Sequence, residues 1–194
     1  MHQEIIRLCA FLAIAGLCLL LCGCTESQTP SELERDRSDA IPGHAIKITP
    51  DTDSFPPVLH SPDFYPPIPL PGDVNTAGAE DSPFISSDGE TLLFFFTPDP
   101  SIPSERQLLD RVTGIYRSTR VNGTFGPARR ILLQDRGKLA LDGCPFLQGE
   151  TLWFCSAREG YAGVNLFTAT GREDQWRDWQ YAGLAVCRRL AEDV

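Results

Sequence analysis

Residues 80–96 read EDSPFISSDGETLLFFF. A short segment containing Pro83 runs into Asp88-Gly89, where glycine can take the positive φ that a tight turn needs. The run that follows, Leu92–Thr97, is strongly apolar, as expected of a strand buried on both faces. Together these features predict an antiparallel hairpin. Downstream, TGIYRST (113–119) alternates and predicts a third strand. In NGTFGPARRILL (122–133) a fourth begins at an aromatic, Phe125, after a Gly-Thr turn.

The whole arrangement recurs. LDGCPFLQGETLWFCSA (141–157), GVNLFTAT (163–170) and REDQWRDWQYAG (172–183) restate it in order. Pro83-Phe84-Ile85 answers Pro145-Phe146-Leu147, and Gly89-Glu90-Thr91-Leu92 answers Gly149-Glu150-Thr151-Leu152. Ile115-Tyr116 answers Leu166-Phe167, and Phe125 answers Trp176. The offset falls from 62 residues at the prolines to 60 at Gly-Glu-Thr-Leu and 51 at the third strand. An insertion in the first copy, Pro98–Thr113, accounts for the larger step. Four strands in a repeat of this length suit an all-β fold of propeller-type blades, here two, at about 66–127 and 128–183.

These residues resemble the WD40-like β-propeller repeats of exported prokaryotic proteins, which occur in Tol-type and peptidoglycan-associated lipoproteins. The first copy matches the family pattern nearly throughout, and the second lacks two residues at Ser-x-Asp-Gly. PIPLPGDVNTAGAEDSP (67–83) looks like the bridge between blades. The resemblance covers about Pro66 to Gly183 and implies a blade fold, but it leaves function open, because such propellers serve many roles. Closed propellers need four to eight blades. After Gly183 the pattern gives way to LAVCRRLAEDV (184–194), an off-pattern tail. The expectation is therefore a piece of a longer protein, or copies that associate to complete a ring.

Upstream the chain divides differently. Leu8–Leu21 is apolar apart from one glycine, too short for a membrane span and suited to the h-region of a signal peptide. It ends in Leu21-Cys22-Gly23-Cys24, which resembles a prokaryotic lipobox and so implies that residues 1–23 are a signal and Cys24 is lipidated; the alternatives are an uncleaved anchor helix beginning near Ile5 or ordinary secretory cleavage nearby. Residues 24–62 follow as a Pro-rich tether. Ten of the 16 prolines lie between Pro30 and Pro71, and proline fits neither a sheet ladder nor a helix interior. The expected protein is exported and held at the cell envelope by its lipid. Its formal charge of -9 over 194 residues leaves no basic surplus for nucleic acid.

The first strand of a blade lines the central channel, so Glu80, Asp81 and Asp142 are the candidate ligand-facing residues. Resemblance to arabinanase-like propellers suggests that inward carboxylates could cleave a glycosidic bond as acid and base. The alternative is that they fix strand starts and blade packing. No catalytic residue is assigned, no cofactor is implied, and no His/Cys/carboxylate cluster has metal-site spacing. Cys144 and Cys155 flank the second turn on one sheet face, diagonal or opposite, as a candidate disulfide or as two buried thiols. Trp153, Trp176, Trp179 and Tyr181 are a sugar-stacking platform or core. The leading expectation is a non-enzymatic platform for a protein or cell-envelope polysaccharide; a propeller-fold glycan hydrolase is the alternative.

Overall fold

The computed structural model describes residues 36–172 and 175–183. The chain divides into two units, Met1–Glu34 and Arg35–Val194, and the described residues all belong to the second. The segment expected to be a signal, Cys24, the candidate lipidation residue, and the tail from residue 184, with Cys187, lie outside them. Among the described residues no helix is long and apolar enough to cross a membrane.

Two antiparallel sheets carry the fold. The first is a meander of β1 (Ala79–Ile85), β2 (Thr91–Thr97) and β3 (Gly114–Val121). Its outer strand is split by Gly126-Pro127-Ala128 into β4 (Thr124–Phe125) and β5 (Arg129–Arg130), both paired with β3. The second is β6 (Ala140–Gln148), β7 (Thr151–Arg158), β8 (Asn165–Arg172) and β9 (Gln175–Tyr181), hydrogen-bonded in that order. Each has four strand positions, which is blade-like. A short α-helical turn, α1 (Ser104–Gln107), sits in the insertion between β2 and β3.

The two hairpins close differently. In the second sheet Gln148 pairs with Thr151, leaving the two-residue turn Gly149-Glu150 with Gly149 at φ +61°. In the first, Ile85 pairs with Leu92, and the longer loop is stitched by Asp88. Its carboxylate accepts from the Ser86 hydroxyl (2.5 Å) and the Glu90 amide (3.0 Å). Those bonds, the Ser86 hydroxyl first, hold the Asp88 pKa below its ordinary value. The two residues missing from the second copy are thus a shortened turn.

Both prolines sit in a β-bulge. Register slips between Asp81 and Phe84 and again between Gly143 and Phe146, with Ser82 and Cys144 at positive φ. A bulge leaves a residue outside the ladder, which lets a proline lie inside a strand. The two bulges meet: the Ser82 hydroxyl donates to Cys144 Sγ at 3.7 Å, and Phe84 packs edge-to-face on Phe146 at 5.2 Å.

Burial follows the faces of the sheets. Leu93, Ile115 and Ile131 from the first sheet pack with Leu152, Phe154, Phe167 and Ala169 from the second. Adjoining Phe95, Gly143 is close enough that a Cβ there would lie 3.2 Å from the ring. The other face of the first sheet buries Leu92, Phe94, Phe96 and Tyr116 beneath Val74, Ala40 and Ile41. Those last two belong to the Pro-rich stretch, where a single 3-10 turn, Arg37–Ala40, is capped by the Asp36 carboxylate on the Ser38 amide.

Candidate functional site

The sequence-predicted carboxylates take two different positions. Glu80 and Asp142, which stand 62 residues apart in the repeat, are each paired with a buried guanidinium. Asp81 is exposed, and its carboxylate accepts from the neighbouring Ser82 amide at 2.6 Å.

In the second sheet Arg158, the last residue of β7, donates from Nη2 to Asp142 Oδ1 at 2.8 Å and from Nε to Ser156 Oγ at 3.0 Å. Nη1 reaches the Leu133 carbonyl at 3.5 Å. The guanidinium carbon lies 4.4 Å from the centroid of Phe167, 4.6 Å from Trp179 and 5.2 Å from Phe154. Cationic, carboxylate-paired and stacked on aromatic faces, the group has the partners that a buried arginine requires.

The first sheet holds the same arrangement around Arg37. Its Nη1 donates to Glu80 Oε1 at 3.1 Å, and Nη2 donates to the carbonyls of Asp73 and of Val74, the latter at 2.8 Å. The rings beneath are Phe96 at 5.0 Å, Phe94 at 5.2 Å and Tyr116 at 5.8 Å. Phe94 and Tyr116 are the repeat counterparts of Phe154 and Phe167. Burial lowers the Arg37 pKa, and the Glu80 charge and hydrogen bond oppose that shift. Glu80 also accepts from the Thr76 hydroxyl (2.6 Å) and amide (3.1 Å).

Aromatic side chains gather at the far end of the second sheet. Tyr161, Phe167, Trp179 and Tyr181 pack with centroids 5.0–6.4 Å apart. Trp179 Nε1 donates to Asp135 at 3.0 Å, and Trp176 and Trp179 adjoin the core between the sheets. Beside them is a cleft of about 210 Å³ lined by Gln134, Asp135, Lys138 and Trp179 among others. A Lys138–Glu159 ion pair of 3.4 Å stands at its exposed rim. A second cleft, about 440 Å³, lies at the turn end and includes Asp88, Arg117, Glu150 and Trp176.

The insertion is tied at its base. The Asp110 carboxylate accepts from the Val112 and Thr113 amides, each at 2.7 Å, and from the Thr113 hydroxyl at 2.5 Å. Glu105 and Arg106 remain exposed on the short helix. Cys144 and Cys155 are both free thiols, Cys144 exposed and Cys155 partly buried. The bulge sets Cys155 opposite Gly143, with Cys144 displaced beside it. Burial, then the neighbouring Cys144, pushes the Cys155 thiol pKa up.

Among the described residues, one face of the second sheet is left without a covering layer. Phe146, Trp153, Cys155 and Leu166 are the counterparts of Phe84, Leu93, Phe95 and Ile115, which face the second sheet. Where Leu93 and Ile115 are buried, Phe146 is 51% exposed, and Trp153, Cys155 and Leu166 are partly buried. The Trp153 indole nitrogen is buried without a hydrogen-bond partner among the described residues. No protein-family model, curated protein or solved structure matches the chain.

Proposed function

We propose that the protein is an exported lipoprotein, anchored through Cys24, whose two WD40-like blades form a non-enzymatic docking platform. The observation that carries this reading is the open face of the second sheet. Its apolar residues sit at the repeat positions through which the first sheet packs on the second, so the face suits a protein surface rather than water. A further sheet of the same kind is the occupant that the repeat favours, from a second copy or from a longer parent chain. In this reading Glu80 and Asp142 are packing residues, held against guanidinium groups, and Asp142 is almost wholly shielded from solvent.

Phe146→Asp tests the platform, because the side chain is half exposed and its loss leaves the sheet core in place. Light scattering would give the mass of the full chain in solution. Titration with cell-envelope proteins and with polysaccharide would give binding. The substitution is expected to weaken association at least about tenfold, as for an apolar anchor at an interface, while the loss of its contact with Phe84 costs only about 0.5–1.5 kcal/mol of stability. Association that is absent in the intact chain, or unchanged in Phe146→Asp, would sink the reading.

A further inference from the structure

The two guanidinium groups occupy equivalent places and arrive there by different routes. Arg158 is part of its own sheet. Sixty residues earlier, at the corresponding end of β2, the first copy has Pro98, which offers no donor. The gap is filled by Arg37, 43 residues before the carboxylate it pairs with. Much of the chain between is exposed, Phe55 at 91% and Tyr65 at 94%. Apart from the Lys47 ammonium on the Asn75 carbonyl (2.7 Å), the side-chain hydrogen bonds that residues 42–72 make among the described residues are local ones. The first sheet therefore receives its cation from a segment joined to it by a long exposed connection.

We infer that the outer face of the first sheet is an arginine-recognition site, that Arg37 is its resident ligand, and that an arginine-bearing peptide can occupy it in trans. The specificity follows from the acceptors. Glu80 and the Asp73 and Val74 carbonyls take hydrogen bonds from two different guanidinium nitrogens, and three aromatic rings line the cation. A planar guanidinium satisfies them together, whereas an ammonium, as a compact and strongly hydrated charge, does not. Three and four residues after the arginine the peptide needs a small and an apolar residue, in the place of Ala40 and Ile41.

The test uses a fluorescent peptide of residues 36–42, in which Arg37 is the one arginine, and its Arg37→Lys form, titrated by anisotropy into the full chain and into the full-length Arg37→Ala variant. In the intact chain the tethered strap competes at high effective concentration, so Arg37→Ala should bind the arginine peptide at least about tenfold more tightly. The lysine peptide should be weaker than the arginine peptide by at least about tenfold. Equal binding to both chains, or equal binding of both peptides, would overturn the inference. Should Arg37→Ala not fold, a protease site placed within residues 54–58 lets the strap be cut free in an otherwise native chain. Exchange with the arginine peptide and not with the lysine peptide then supports the site. Failure of the arginine peptide to exchange, or equal exchange of both, rejects it.

Discussion

Asp142→Ala separates a packing role for this carboxylate from a chemical one. The substitution leaves Arg158 charged in a place where its side chain and that of Asp142 are each only 3% exposed. Removing one partner of a buried pair costs about 3–5 kcal/mol, because the other charge stays buried and uncompensated. Here Ser156 Oγ at 3.0 Å and the faces of Phe167 and Trp179 remain on the guanidinium. That places the loss at the lower end, about 3 kcal/mol, or on the order of 10 °C in melting temperature for a unit of this size. Urea titration followed by tryptophan fluorescence measures it, with Trp179 reporting on the cage itself. The double variant Asp142→Leu with Arg158→Met removes both charges and should recover most of the loss, since apolar replacement of a buried pair is near neutral. A loss below about 1 kcal/mol for Asp142→Ala, or a double variant no better than the single, would refute the charge-pair account. A carboxylate kept for chemistry would show the opposite sign, with activity lost and stability held or raised.

Gly78→Ala should destabilise by about 1–3 kcal/mol through overpacking, read as a lower urea midpoint. Its Cβ would lie 2.6 Å from Phe96 Cε2 and 2.9 Å from the Thr97 carbonyl, and Phe96 is fully buried; an unchanged midpoint would contradict this packing. Maleimide at pH 8 should modify exposed Cys144 well before Cys155, whose thiol pKa is raised by burial. Peptide mapping checks the order, and faster labelling of Cys155 would count against it. Because the Cys155 pKa is raised in the folded state, its contribution to stability is full below the unfolded thiol pKa and is lost as pH rises through the folded value. An alkaline drop in melting temperature should therefore shrink in Cys155→Ser.

Much of the strand order was legible because the repeat states it twice. Apolar β2 and β7, alternating β3 and β8, and the aromatic starts of the fourth strands all carry local signals. The bulges carried one too, since Pro83 and Pro145 cannot continue a ladder, but nothing local shows that Ser82 and Cys144 meet. Glu80 and Asp142 could be matched to each other by position. Their partners could not be found in the same way, because Arg158 is an ordinary strand-end arginine and Arg37 lies in a polar stretch with no period. The one available signal for Arg37 was negative: Pro98 stands where the second copy has Arg158.

The demand for a guanidinium belongs to the sheet rather than to any one segment. An acid near the start of the first strand, a carbonyl of the preceding connection turned inward and a floor of aromatic rings create a buried anionic pocket in both copies. A cation must fill it or the acid is stranded. The two pockets differ in what remains when the cation leaves. Glu80 keeps the Thr76 hydroxyl and amide and is the more exposed acid, at 16% against 3% for Asp142. Arg37→Ala should therefore cost less than Arg158→Ala, and urea titration of the two full-length variants measures the difference. A first pocket at least as intolerant as the second would mean that Arg37 is a fixed part of the core, and the strap could not act as an exchangeable ligand.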